Sequence, residues 1–152
     1  MVEHSFKNAL QIMRIVLDTN CLLVSVQEYS DFFWLWQAFC YNKFILCYSN
    51  EILNEYQEIL SRYYSSSLAK YVVDAILNAP NTEQITVYYK WQLIFTDPDD
   101  NKFVDCAISA NANYIVTNDK HFKTLEYIDF PKVNILTIDQ FKKKIEPFYT
   151  DS

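Results

Sequence analysis

RIVLDTN, residues 14–20, is the stretch on which the fold turns. Ile15, Val16 and Leu17 form a short continuous apolar run, the mark of a strand buried on both faces. The run ends on Asp18, Thr19 and Asn20. In an open parallel α/β sheet, the carboxyl end of a strand is the edge where ligands bind. A carboxylate is costly there without a partner, so Asp18 is the first candidate functional residue.

The same pattern recurs a hundred residues on. YIVTND, 114–119, is another apolar strand that ends in a polar cluster with an acid, Asp119. Further strand-like segments lie at 44–48 and 134–138. They alternate with segments of helical period at about 29–41, 50–63, 66–79, 100–111 and 139–145. This alternation predicts an α/β fold with a mostly parallel sheet covered by helices. No linker, repeat or low-complexity tract divides the chain. Met13 directly precedes the first strand, so residues 1–12 read as an N-terminal extension, 13–146 as one domain and 147–152 as a C-terminal tail.

At 152 residues, with 51% hydrophobic and 17% aromatic side chains, the chain is long and apolar enough for a single core. No apolar run approaches the roughly 20 residues that span a bilayer, and the first twelve residues have neither a basic nor an apolar leader region. A soluble, cytoplasmic protein with no membrane partner is expected. The cysteines Cys21, Cys40, Cys47 and Cys106 form no CxxC pair and sit in apolar stretches, so they read as reduced core thiols. Glycine is absent altogether. Phosphate-cradling glycine loops are thereby excluded, and Asn81, Asn111, Asn113 and Asn118 are the natural occupants of left-handed turn positions. The net charge of −6 argues against broad electrostatic capture of nucleic acid. A nucleic-acid substrate would require a recruited cation at the site.

Two more acids fall at strategic points. In 49–63, Ile52, Tyr56, Ile59 and Tyr63 make an apolar stripe on a helix capped by Ser49 or Asn50, and Glu55 falls on or beside that stripe. In 95–112 a turn at Pro98 leads into a helix, and Asp100 shares a face with Phe103, Ala107 and Ala110. Asp97 and Asp99 read as turn and N-cap residues. Asp105 lies about 140° around an ideal helix from Asp100 and would reach the site only indirectly. Asp99, Asp100 and Asp105 all stay open as the third acid. Acids gathered at one sheet edge repel unless a cation joins them, and an oxygen-only set suits Mg²⁺ or Mn²⁺ better than zinc.

The stretches IVLDTN, LNEYQEIL, DPDDNKFVDCA, ANYIVTND and NILTIDQF, spread from Met13 to Glu146, resemble PIN-domain ribonucleases, particularly the PIN toxins of bacterial toxin–antitoxin pairs (VapC-like). The resemblance implies a three-layer α/β/α fold with a central sheet of about four or five strands. It implies that Asp18, Glu55, Asp100 and Asp119 are the catalytic, metal-binding acids, supported by Thr19, Asn20, Asp105 and Thr117. The activity implied is Mg²⁺- or Mn²⁺-dependent cleavage of single-stranded RNA, with an antitoxin protein as a further partner; a homodimer is expected from the helix at 31–41, which is apolar nearly all round. Asn118 stands where the family often has glycine, and asparagine tolerates the same backbone region. The chemistry suits the residues: water attacks phosphorus in line, and a divalent cation activates it and neutralises the phosphate.

Two other readings compete. One is a PIN fold without activity, serving as an RNA or protein interaction module, against which the presence of all four acids counts. The other is an aspartyl-phosphate phosphatase, whose second aspartate would stand where Asn20 does. A serine or cysteine hydrolase lacks a convincing histidine: His4 and His121 are the only two, and His121 reads as a surface residue. The aromatic helix DFFWLWQAFCY, 31–41, divides between core packing and a protein interface. Lys142–Lys144 read as a solvated helix face.

Overall fold

The computed structural model describes residues 12–149. Strand β1, Arg14–Leu17, lies at the centre of a five-stranded, wholly parallel sheet. Its neighbours are β2, Ile45–Tyr48, and β4, Tyr114–Val116; β3, Thr82–Gln84, and β5, Ile135–Leu136, form the edges, giving the order β3-β2-β1-β4-β5. Ile15 and Val16 point to opposite faces, and both are fully buried. The sheet is therefore covered on both sides, the three-layer arrangement expected from an apolar strand run.

Six α-helices supply the cover: α1 Thr19–Ser25, α2 Phe33–Cys40, α3 Asn50–Tyr63, α4 Ser66–Asn78, α5 Asn101–Ala110 and α6 Ile138–Tyr149. Local chemistry sets their ends. The Ser49 and Ser65 hydroxyls accept from the amides of Ile52 and Leu68 at 3.3 and 3.0 Å, each filling one of the donors a helix start leaves open. At α6, Thr137 and Gln140 cap each other reciprocally, at 2.9 and 3.1 Å. Helix α5 ends on Asn111 at φ 51°, the left-handed position usually given to glycine.

The structure departs from the sequence reading in several places. Helix α1, strand β3 and a 3-10 helix at Lys120–Tyr127 were not expected. Helix α1 is short and starts directly after a strand, and β3 has no apolar alternation to betray it. The expected helix at 29–41 shrinks to α2, and that at 139–145 extends to Tyr149. The expected extension falls almost wholly outside the described residues, as does the end of the tail. Of the four asparagines expected in left-handed turns, only Asn111 is there, joined by Asn42 and Gln92 at φ 60° and 53°. Asn81 is instead a buried clamp, donating to the carbonyls of Phe39 and Phe44 at 2.9 Å each. Asn113 accepts from the Arg14 amide at 2.8 Å. Asn118 accepts from the Ile138 amide at 3.1 Å and so ties the loop after β4 to α6. Three cysteines are buried as expected, but Cys40 is exposed.

The aromatic helix goes mostly to the chain's own core. Leu35, Trp36, Ala38 and Phe39 of α2 are buried. Trp34 packs against Phe141 of α6 at a centroid distance of 6.3 Å, with the Lys142 ammonium 5.7 Å from its ring. Gln37, Cys40 and Tyr41 are what this helix turns outward. The stripe read on α3 holds at Ile52 and Tyr56 only: Leu60 takes the next buried place, Ile59 is half-buried and Tyr63 is exposed.

Tyr56 is fully buried, and its hydroxyl donates to the Leu17 carbonyl at the end of β1. Tyr56→Phe removes the donor and strands that carbonyl in an apolar setting, which should lower stability by about 1–2 kcal/mol. Urea unfolding should show a lower midpoint with an unchanged slope. An unchanged midpoint would mean that the bond contributes nothing net.

Candidate functional site

The site is assembled at the carboxyl edge of the sheet by the pairing of β1 with β4, in which Leu17 faces Val116. The next residue of each strand then meets its counterpart. The Asp18 amide donates to the Val116 carbonyl at 3.1 Å, and the Thr117 hydroxyl donates to Asp18 Oδ2 at 2.8 Å. Thr117 Oγ1 in turn accepts from the Asp119 amide at 3.0 Å. One threonine thus orients both acids that the two strand ends deliver. Asp18 is 5% exposed. Burial raises its carboxyl above the ordinary aspartate range, with Asp119 and Glu55 adding to the rise and the Thr117 bond opposing it.

The third acid comes from a 3-10 turn, Pro98–Asp100, that runs directly into α5. Asp97 caps the turn by accepting from the Asp99 amide at 3.2 Å, as read from the sequence. Asp100, the last residue of the turn, is 9% exposed. Its Oδ2 is buried and makes no hydrogen bond. Its carboxyl is pushed up to about 7, chiefly by burial, then by Asp97, Asp119 and Asp18, with His121 pulling the other way. Asp18 and Asp119 line a cleft of about 280 Å³ together with Asn20, Cys21, Asn118 and Ile138, and Asp100 lies near enough for the charges of both to raise its carboxyl.

His121 is not the plain surface residue the sequence suggested. Its Nδ1 lies 3.4 Å from Asp119 Oδ1 and 3.7 Å from Asp100 Oδ2, and its amide donates to Asp119 Oδ1 at 2.9 Å. Asp97, Asp100 and His121 each offer a ligand atom within 4.8 Å of the others. The set is thus mainly oxygen with one imidazole in reach, which fits a hard divalent cation such as Mg²⁺ and, through the imidazole, Mn²⁺ still better. The orphaned oxygen of Asp100 is the independent sign that a cation belongs here.

Glu55 stands apart from these three. Its Oε2 accepts from the Thr19 hydroxyl, and its Oε1 pairs with the Lys102 ammonium at 2.8 Å. Lys102 also meets Asp99 Oδ1 at 2.9 Å and the Asp99 carbonyl at 2.8 Å, and its side chain is only 6% exposed. Burial pulls the Lys102 ammonium down, but its bonds to Glu55 and Asp99 more than reverse this; the Lys102 bond holds Asp99 below the usual range. The sequence reading saw acids converging with no basic partner and missed this lysine. Its one signal was its place three residues after Asp99, on the helix that carries Asp100. Asp105 lies on the far side of Lys102, accepting from the Trp91 amide at 3.0 Å and lining a neighbouring cleft with Lys90, Phe95 and Asp99. The strap over that cleft is tied down by Asn101, whose side chain bonds both the amide and the carbonyl of Ile94 at 2.9 Å.

A carboxyl raised to about 7 in the folded chain and near 3.8 when unfolded binds its proton more tightly in the native state. The charged form is the one that opposes folding, so this contribution is absent near pH 4 and reaches its full size above pH 7. In EDTA, Asp100→Asn should therefore melt above wild type at pH 8, by about 3 °C for a discounted gain on the order of 1 kcal/mol. The gap should close toward pH 4–5. Equal melting temperatures at pH 8 would show that Asp100 carries no such strain.

The fold agrees with what comparison shows. The VapBC2 complex of Rickettsia felis, bound to a DNA fragment from its promoter, superposes with a TM-score of 0.58 at 20% identity, covering 82% of this chain and 98% of that one. The DNA-bound VapBC of Salmonella typhimurium gives a TM-score of 0.54 at 15% identity, covering 84% and 99%. No curated protein sequence matches. Residues 14–121, from the first strand of the sheet through the last acid's histidine neighbour, match the PIN domain model, and the chain belongs to the PIN domain family.

Proposed function

We propose that the protein is a divalent-metal-dependent endoribonuclease that cuts single-stranded RNA, and that it is the toxin of a pair restrained by an antitoxin protein. The observation that carries the reading is a buried Asp100 oxygen that has no partner among the described residues, set close to Asp119 and Asp18, which line one cleft at the sheet edge. The family supports nuclease chemistry. The shared fold with two VapBC complexes supports an antitoxin partner. A homodimer belongs to the same proposal, with the outward residues of α2 as the part of the aromatic helix left to meet it.

Asp18, Asp100 and Asp119 would hold Mg²⁺ or Mn²⁺, which would supply a lowered pKa for water and offset the charge of the attacked phosphate. The chain's own residues do the rest. Thr117 fixes the direction of the Asp18 carboxylate and the backbone of Asp119. The buried setting of Asp18 and Asp100 excludes bulk water from one side of the cleft, which strengthens the field a phosphodiester meets there. A chain of net charge −6 gains an attractive spot for a phosphate backbone only where it holds a cation. Single strands rather than duplexes are favoured by the strap after β3, which exposes Tyr88, Tyr89 and Phe95 beside Lys90. Unpaired bases stack on such rings, and paired ones do not present their faces.

Asp18→Asn keeps the size of the side chain and removes the charge. Cleavage of a fluorescent single-stranded RNA should then fall on the order of a thousandfold, the loss of several kcal/mol of transition-state stabilisation. Wild type should be inactive in EDTA and recover with Mn²⁺, while circular dichroism of the variant stays native. An Asp18→Asn chain that cuts as fast as wild type would overturn the nuclease reading. A wild type that binds RNA with no cleavage under any metal would favour the interaction module.

A further inference from the structure

Within the metal-dependent reading just given, we infer that Lys102 is a built-in cation that takes up Glu55, so that the site holds a single divalent ion on the side of Asp18, Asp100 and Asp119 and Glu55 is not one of its ligands. Both oxygens of the Glu55 carboxylate are already engaged, one by the Thr19 hydroxyl and the other by the Lys102 ammonium, whose charge offsets that of the carboxylate. Lys102 is equally committed. An ammonium has three donors, and this one meets Glu55 Oε1, Asp99 Oδ1 and the Asp99 carbonyl at 2.8, 2.9 and 2.8 Å. With its side chain 6% exposed and its nitrogen 5.3 Å from the Phe103 ring centre, it is fixed in place rather than swinging in solvent. A divalent ion bridging Glu55 would have to sit against this ammonium, where like charges oppose it.

The other side of the site has the opposite character. Asp100 is buried with an oxygen that nothing among the described residues satisfies. Asp119 and Asp18 face it, and the nearest basic group, the half-exposed His121 imidazole, stops at 3.4 and 3.7 Å. The acids thus divide into a pair neutralised by the protein itself and a set left for an ion from solution. Lys102 acts as a positioning residue: it touches Glu55 and sets where the ion can sit.

Mn²⁺ titrated into the metal-stripped full chain, read by calorimetry and by the electron paramagnetic resonance of free Mn²⁺, tests this without any activity assay. Wild type should bind one ion, and Asp18→Asn should weaken it by about tenfold or more, as loss of a ligand does. The double variant Glu55→Gln/Lys102→Met removes both charges of the pair at once, so it should bind one ion within a few-fold of wild type. Lys102→Met alone frees Glu55 and should bind a second ion or hold the first about tenfold tighter. The inference is overturned if wild type binds two ions, or if the double variant loses affinity as Asp18→Asn does. It is equally overturned if a folded Lys102→Met matches wild type; should that variant not fold, the other arms decide. Two ions in a chain that still cuts RNA would leave the nuclease reading standing, whereas no Mn²⁺ binding at all would remove both.

Discussion

The parallel register between β1 and β4 is the constraint on which the site depends. Once Leu17 is set opposite Val116, Asp18 and Thr117 follow as direct consequences of chain geometry, and the hydroxyl of one meets the carboxylate of the other. A slip of one residue would exchange the faces of every side chain in a strand. Here that would bury Asp18 in the sheet rather than at its edge. The register is held by apolar residues that have no chemical role, Ile15, Val16, Ile115 and Val116, all fully buried. The hydroxyl of Tyr56 on the carbonyl of Leu17 adds a polar check at the same point.

At the site the fold accepts unfavourable electrostatics. Burial raises the carboxyls of both Asp18 and Asp100, and Asp100 keeps an unpaired oxygen. Functional sites are where such conflicts between local chemistry and folding collect. A few residues away the same kind of problem is resolved internally, with Glu55 and Asp99 sharing one buried lysine. The contrast marks which charges the chain settles by itself and which it leaves to a ligand.

Much of this is legible in the amino-acid sequence. Apolar triplets ending in acids gave away β1 and β4, and the stripe Ile52–Tyr56 placed α3. What stayed hidden has physical reasons. Strand β3, Thr-Glu-Gln, is an edge strand with little burial, so no alternation marks it. Helix α1 is too short for its period to show. The pairing of Lys102 with Glu55 and the approach of His121 to Asp100 are tertiary events, since the partners of each come from separate segments brought together by the fold. Asparagine was a poor guide to left-handed turns because its amide was wanted elsewhere, at Asn81 as a clamp between carbonyls.

A chain without glycine that still turns left-handed at Asn42, Gln92 and Asn111 has a consequence for its unfolded ensemble. Every residue carries a Cβ, so the denatured chain explores fewer backbone states than one of ordinary composition, and less conformational entropy is lost on folding. Against this, each of the three turns holds its residue where a side chain is sterically disfavoured. The balance is a backbone made stiff throughout and tense at three corners. Such a chain can tolerate a cluster of mutually repelling acids at its working edge without an exceptionally large core.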